Sequence, residues 1–507
     1  MSENISADGG LTARSPHQEP GNAGDKIRQG VRWSAFSKYG AQLIQFVVSI
    51  ILARLLAPET FGLMSMATLV IGFGSVFASL GLNNAIIRKR APTKDFLSSV
   101  FVLQLILAGV VALGIALSAP LAAMFFQEHN VTGLILALAA GFFIGSLAII
   151  PTAILQKQLA FKTLAIREIL AALLGGAVAV AAAVGGMGVW SFVLGSLTAE
   201  VIGAITVFRL VKWRPALVFR SNELEGTFSF GLNLFGIGIT NYFARKGDDV
   251  IIGAALGKGS LGIYSVAYRL MLLPRDAVTA VVGRVLYPAM SQFQDDDEQL
   301  SALYVRCVAA IGFITFPMMM GLATIASPFV TVVLGPAWRD AIPLIWILAP
   351  IGMIQSITST QSQLFMTKGR TGILFRYSLV VTFIRVCLFL VTVRYGLIPL
   401  AAVYAATAFA FLPVGLRLSN ALVEGLSSRR ILEGLFPPLA MSSVMGTGVW
   451  SLDRILRFLG AGDVLILCTC VPIGIFLYSA MALIWRPPAT NDFLELMPLR
   501  FSTRRQT

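Results

Sequence analysis

Four charged residues, Arg245, Lys246, Asp248 and Asp249, interrupt a long apolar stretch that runs from about residue 228 to 257 and is followed by a short turn expected at Gly257–Ser260. A charge held at membrane depth costs about 3 kcal/mol or more, so it faces protein or water rather than lipid. Arg245 stands three residues before Asp248 and four before Asp249. That spacing puts acid and base on one helix face, where they can pair. The chemistry on offer is electrostatic: a cation able to hold an anion, and carboxylates able to hold a cation. A helix with such a face should line a polar path through a bundle.

The elements around it follow from composition. The chain has 507 residues, of which 56% are hydrophobic and 13% charged, and its mean hydropathy is +0.80. Soluble domains carry about 25% charged residues, and many stretches here exceed the roughly 18 apolar residues of a membrane span. The sequence predicts an all-α integral membrane protein with about 14 transmembrane helices. The net charge of +14 would suggest nucleic acid in a soluble chain. Here the basic residues gather in alternate loops, which reports membrane topology and speaks against a nucleic-acid partner. With the amino terminus inside, one set of loops holds Arg88, Lys89, Arg90, Lys94, Lys157, Lys162, Arg209, Lys212, Arg214 and Arg220. Further along, the same side holds Lys368, Arg370, Arg417, Arg429 and Arg430. The opposite loops hold few: none around Glu128 or Gly185–Gly188, then Lys258, Arg339, Arg394, Arg454 and Arg457. Both termini are therefore expected in the cytoplasm.

Residues 1–30 lack periodicity and read as a disordered cytoplasmic tail rather than a cleavable signal. Then come a six-helix lobe over 31–215, a second over 226–420, a terminal helix pair over 435–485 and a cytoplasmic tail over 486–507. The two lobes are expected to be pseudo-symmetric around a central cavity. The reason is an internal repeat: Phe61-Gly62-Leu63-Met64-Ser65-Met66-Ala67 matches Leu261-Gly262-Ile263-Tyr264-Ser265-Val266-Ala267, and Ile51–Leu56 aligns with Ile251–Leu256 without a gap. Both copies share one orientation, the arrangement of transporters whose site lies between parallel repeats. In this register Arg245 and Asp249 correspond to Gln45 and Ser49. The charges thus lie near midplane, and the matching face of the first half is polar but uncharged.

Other side chains offer little chemistry. His17 and His129 have no nucleophile or ligand partner in their segments. Cys307, Cys387, Cys468 and Cys470 read as buried free thiols packing as small hydrophobes, and no metal site or cofactor is expected. Trp33, Trp190, Trp213, Trp338, Trp450 and Trp485 stand near span ends, as an interfacial belt does. Tyr242 and Tyr264 lie on the charged helices, where packing or stacking on a sugar would both suit them. There is no P-loop or dinucleotide pattern, and paired glycines such as Gly175-Gly176 read as close helix packing.

The blocks Leu52-Ala53-Arg54-Leu55-Leu56-Ala57-Pro58-Glu59-Thr60-Phe61-Gly62 and Asp249-Val250-Ile251-Ile252-Gly253, followed by Leu256-Gly257 and Leu261–Ala267, carry a resemblance. From about residue 30 to 485 the chain resembles the polysaccharide-exporter (Wzx-type) branch of the multidrug/oligosaccharidyl-lipid/polysaccharide flippase superfamily, on the side of the colanic-acid and succinoglycan exporters. The resemblance implies a multi-pass protein of the bacterial inner membrane. Its expected function is to flip undecaprenyl-diphosphate-linked oligosaccharide units for exopolysaccharide or lipopolysaccharide synthesis, by alternating access. The partners implied are the lipid-linked oligosaccharide, membrane lipids, and a polymerase with other assembly proteins.

Arginine suits such a substrate because its planar guanidinium grips phosphate oxygens two at a time. Arg245, Arg269, Arg275 and Arg385 lie inside spans and are the diphosphate candidates. Lys38, early in the first span, is placed to receive the phosphate at the cytoplasmic entrance. Arg245 with Asp249 can equally be a structural ion pair, and Arg269, Arg275 and Asp276 near Pro274 can equally mark a helix break. Arg54 suits an interfacial anchor. Glu200, Asp248 and Asp249 are the ion-pair or coupling candidates, since a buried carboxylate can exchange a proton or bind Na⁺. Two other functions are weighed. A drug or metabolite antiporter of the same superfamily would show drug-dependent efflux and need no sugar-pathway partners. A polysaccharide polymerase or ligase would need a large extracytoplasmic loop for its catalytic residues, and every outward loop here is short. The chain is therefore expected not to be an enzyme.

Overall fold

The computed structural model describes residues 20–78, 86, 89, 92–216, 218, 220 and 227–487. Helices make up nearly all of it, with no strand among the described residues. They are α1 (Pro20–Leu55), α2 (Pro58–Ala78), α3 (Lys94–Phe126), α4 (Asn130–Leu147), α5 (Ile149–Lys157), α6 (Phe161–Val184), α7 (Trp190–Leu210) and α8 (Thr227–Gln292). After them come α9 (Asp297–Thr324), α10 (Ala341–Thr358), α11 (Gln361–Thr367), α12 (Thr371–Thr392), α13 (Leu397–Asn420), α14 (Ser428–Phe458) and α15 (Asp463–Trp485). Between α9 and α10 the chain makes a short helix, Ala326–Phe329, a π-helical turn, Val330–Leu334, and a 3₁₀ turn, Pro336–Trp338.

Twelve helical stretches among the described residues are long and apolar enough to cross a membrane. This is the build of an all-helical, multi-pass membrane protein. One of the twelve, Gly238–Asp276, runs across the turn expected at Gly257–Ser260, and α14 is not among them. The expected count of 14 is thus not reproduced by length and apolarity alone. The turn itself is present: α8 is two helices that meet at a kink at Gly257, which sits at φ 78° and ψ −176°. A side chain is strained in that region, so glycine is what allows the bend.

Local signals explain the helix starts. Thr93 caps α3 by accepting from the Phe96 amide at 3.0 Å, and Asp296 caps α9 by accepting from the Gln299 amide at 3.0 Å. The acidic run Asp295–Glu298 therefore opens a helix, with negative charge at its positive end. α1 begins at Pro20, so residues 20–30 are helical where a disordered tail was expected. Proline suits a first helical position, where its missing N–H leaves no bond unmade. Residues 1–19 and 488–507, with Arg88, Arg90 and His17, lie outside the described residues.

Large apolar side chains face outward in regular stripes. On α3, Ile106, Val110, Leu113, Leu117, Leu121 and Met124 are all exposed, three or four residues apart on one face. Water would penalise such a stripe, and lipid accepts it. Cys387 and Cys468 are likewise exposed, while Cys470 is buried and Cys307 half-buried. The expectation of four buried thiols therefore fails for two of them, since an apolar span has a lipid face as well as a packed one.

Within the first half, α1 packs on α6, α6 on α7, and α4 on α3, α2 and α7. Within the second, α8 packs on α9 and α10, and α13 on α10 and α12. The broadest contact between the halves joins α2 to α8. α14 lies against α9 and α15. Arg457 grips Asp453 at 3.0 Å and reaches Asp463 at 3.2 Å. Asp463 also accepts from the Thr331 hydroxyl at 2.7 Å, which ties α15 to the π-helical turn.

Candidate functional site

Two connected chambers run along α1 and α8. The first has a volume of about 960 Å³ and begins near Lys38. The second, about 780 Å³, lies deeper. Phe46, Arg269, Leu272, Leu273 and Asp276 line both and form the passage between them. On α1 the lining residues Lys38, Gln42, Gln45 and Ser49 follow one another at helical spacing. On α8 the lining stripe after the bend is Arg269, Leu272, Leu273 and Asp276. Polar faces of α1 and α8 thus look onto the same chambers, away from lipid.

The deeper chamber gathers most of the charges read from the sequence. Arg245, Lys246, Arg269, Arg275 and Arg385 line it, with Asp249 and Asp276 as its carboxylates. Five cations against two acids leave an excess of three positive charges. Arg275 and Arg385 are held by side chains from two other helices, α10 and α13. Arg275 Nη1 donates to Gln355 Oε1 at 3.0 Å, and Gln355 Nε2 donates to the Tyr404 hydroxyl at 2.7 Å. The Tyr404 and Tyr268 hydroxyls lie 3.3 Å apart. Arg385 lies over the Tyr404 ring, 4.7 Å from its centroid, within cation–π range. The Nε atoms of Arg275 and Arg385 are buried with no hydrogen-bond partner among the described residues. A buried guanidinium with an unmet donor is costly to leave so, and an anionic ligand would satisfy it.

The expected pair of Arg245 with Asp249 does not form. Asp249 takes Lys246 instead, at 2.7 Å, and Asp248 accepts from the Tyr264 hydroxyl at 2.7 Å. Positions three and four apart share a helix face equally well, so spacing alone could not choose between the two bases. Arg245 makes no ion pair among the described residues and lines the chamber instead. Arg275 does not mark a helix break: α8 continues through Pro274, and the side chain reaches across to α10.

Lys38, Glu200 and Arg269 line the first chamber, so Lys38 and Glu200 stand apart from Asp248 and Asp249. The Glu200 carboxylate packs against Gly145 of α4, where a Cβ would collide with it. Tyr264 is wholly buried, and Tyr242 donates to the Leu69 carbonyl, tying α8 to α2. Both tyrosines therefore pack rather than offer a free face. Gln355 and Tyr404 have no signal in the sequence, being neutral residues in apolar spans far from the charges they orient, and Tyr268, although next to Arg269, is neutral too.

Beyond Phe61 and Phe192, which line the deeper chamber, an aromatic cluster, here called the seal, packs beside Ala53. Trp338 is fully buried and donates from Nε1 to the Ala53 carbonyl at 2.8 Å. Phe61 meets both Trp338 and Phe192 edge to face, with centroids 4.9 Å apart in each pair. Arg54 is more than an interfacial anchor, since its Nε donates to the Val333 carbonyl at 3.0 Å. Lys258 pairs with Glu128 at 2.9 Å, joining the α8 bend to the end of α3.

Lipopolysaccharide biosynthesis protein WzxC of Escherichia coli (strain K12) is 27% identical over 370 residues, 71% of this chain and 74% of that protein. Succinoglycan biosynthesis transport protein ExoT of Rhizobium meliloti (strain 1021) is 28% identical over 70% of this chain and 72% of its own length. Teichuronic acid biosynthesis protein TuaB of Bacillus subtilis (strain 168) is 25% identical, covering 83% of this chain and 88% of its own. Among solved structures, the lipid II flippase MurJ in an inward closed conformation shares the fold, with a TM-score of 0.70 at 15% identity over 91% of this chain and 99% of that one. A multidrug resistance MATE family transporter of the MOP superfamily, in an inward-facing conformation, matches with a TM-score of 0.57 at 19% identity, over 75% of this chain and 95% of that one. Residues 51–343 match the family described as polysaccharide biosynthesis protein, and on that match the chain belongs to this family.

Proposed function

We propose that this protein is a flippase for lipid-linked oligosaccharides, moving undecaprenyl-diphosphate-linked repeat units across the bacterial inner membrane for exopolysaccharide or lipopolysaccharide synthesis. The observation that carries this reading is the charged deeper chamber, with its three excess positive charges. A diphosphate bridging lipid and sugar bears about two negative charges and strong acceptor oxygens, which guanidinium groups match in shape and sign. Arg245, Arg269, Arg275 and Arg385 would hold the diphosphate, and Lys38 would meet it at the entrance. Family membership and the names of WzxC and ExoT support the substrate class.

Lys38 lines the first chamber and the Phe61–Trp338 aromatic cluster packs beside the deeper one, an arrangement that supports one state of an alternating-access cycle between two lobes, 31–215 and 226–420. In the proposed orientation both termini and the Lys38 end face the cytoplasm. Asp248, Asp249 and Glu200 are the carboxylates available for coupling to Na⁺ or H⁺. A polysaccharide polymerase would take the flipped unit on the far side. The protein itself makes and breaks no covalent bond in this scheme.

The test is translocation of a fluorescent undecaprenyl-diphosphate oligosaccharide in proteoliposomes, read by protection from a membrane-impermeant quencher. Vesicles with the protein should move the lipid faster than empty vesicles, and the variant Arg275→Gln with Arg385→Gln should not. Equal rates with and without the wild-type protein would overturn the proposal.

A further inference from the structure

The two chambers differ in charge. Lys38, Arg167 and Arg269 in the first chamber are balanced by Glu168, Glu200 and Asp276. The deeper chamber keeps its excess of three positive charges. Setting aside Arg269 and Asp276, which line both, leaves the contrast intact. The first chamber also presents the amides of Gln42, Gln45 and Gln156, and its walls are opened by Ala41, Ala171, Ala172 and Ala199. Amides give and accept hydrogen bonds at once, carboxylates accept, and lysine and arginine donate.

We infer that the first chamber is a sugar subsite built for an uncharged oligosaccharide head, and that it selects against repeat units bearing uronate or other acidic substituents. This rests on the flippase reading above and adds the class of sugar. Hydroxyl groups both donate and accept, so a neutral sugar can pair with cations, carboxylates and amides of the chamber alike. An acidic substituent meets as many carboxylates as cations, and the loss of its hydration is not repaid by net attraction. Rejection through unfavourable pairing is a common route to specificity. Small walls leave room for a bulky head while the diphosphate is held one chamber deeper. The Glu200 carboxylate lies beside Gly145 of α4, where the missing side chain leaves it room.

The experiment measures binding of two synthetic lipids to the purified protein in nanodiscs. One is an undecaprenyl diphosphate carrying a neutral tetrasaccharide, the other the same lipid with one glucose replaced by glucuronate. The wild-type protein should prefer the neutral lipid by about tenfold, a difference set by net electrostatics at the subsite. Glu168→Gln with Glu200→Gln leaves two excess positive charges in the chamber and should erase or reverse that preference. Lys38→Gln, at an exposed position, leaves a negative excess and should widen it. Equal wild-type affinity for the two lipids, or the same preference in every variant, overturns the sugar assignment while leaving the flippase reading in place. Binding of neither lipid overturns both.

Discussion

The backbones of Gly62 and Gly262 touch. A Cβ on Gly262 would lie 3.0 Å from the Gly62 amide nitrogen and would overlap the Pro58 carbonyl, while one on Gly62 would overlap the Lys258 carbonyl. Pro58 and Lys258 are separated by the same 200 positions as the two glycines (258 − 58 and 262 − 62). The contact therefore maps onto itself when the two repeats are exchanged. It is the point at which α2 and α8 cross most closely, and neither neighbour is a side chain that could move aside.

Gly62→Ala and Gly262→Ala should each destabilise the protein by about 1–3 kcal/mol or more, the range for overpacking a filled site. Thermal unfolding followed by size-exclusion chromatography reads this directly. Gly114→Ala is the control, because a Cβ there meets nothing within 4 Å, and helix propensity favours alanine. If the alanines at 62 and 262 behave like the one at 114, the close crossing is not what holds these helices.

Arg245 and Asp249 should separate in their effects. Asp249→Asn strands Lys246, whose side chain is 50% exposed, so the expected loss of stability is modest, about 1 kcal/mol. Arg245→Gln breaks no ion pair and should leave the melting temperature unchanged while slowing lipid-diphosphate translocation in proteoliposomes. A melting temperature that falls with Arg245→Gln but not with Asp249→Asn would reverse these roles.

Arg275→Lys and Arg385→Lys keep the charge but lose the planar fork and, at 385, the stacking on Tyr404. Each should slow translocation by about tenfold, the size of effect expected from losing one charge-assisted bond of 1.5–3 kcal/mol in part. Tyr404→Phe keeps the ring under Arg385 but removes the hydroxyl that receives Gln355. It should affect Arg275 more than Arg385, so combining it with Arg275→Lys should cost less than the two separate losses together. Strict additivity in that double-mutant cycle would show that Gln355 does not position Arg275.

The seal at Trp338 should be breakable. Trp338→Ala removes a fully buried indole, a change worth about 3–5 kcal/mol in packed sites. Ser65 lines the deeper chamber just inside the seal. In a background without the native cysteines, Ser65→Cys should resist an impermeant maleimide added from the Arg54 side and become labelled once Trp338→Ala is added. Unchanged labelling would mean that Phe61 and Phe192 suffice to close this end.

Much of the frame was legible because lipid imposes it: apolar length reports spans, and the LGKGS bend at Gly257 and the repeat at Phe61 and Leu261 are written in short local patterns. The cations of the deeper chamber were legible for the same reason, since a charge in an apolar stretch has few places to go. What was hidden depends on packing between distant parts of the chain. Gln355 lies 80 residues from Arg275 and Tyr404 still further, and neither has a periodicity that singles it out. Lys246 against Arg245 is a choice between neighbouring rotamers on one face. The exposure of Cys387 and Cys468 depends on which side of a helix meets lipid, and hydropathy scores both sides alike.

The five-residue π-helical turn, Val330–Leu334, is moored at both ends of its short length. Thr331 is tied to Asp463 on the last helix pair, and the Val333 carbonyl, two residues on, receives Arg54 from the first helix. Parting α1 from this turn must break the Arg54 bond, while α15 keeps its hold on Thr331. In the proposed cycle the terminal pair would act as ballast, holding the turn through Thr331 while α1 moves.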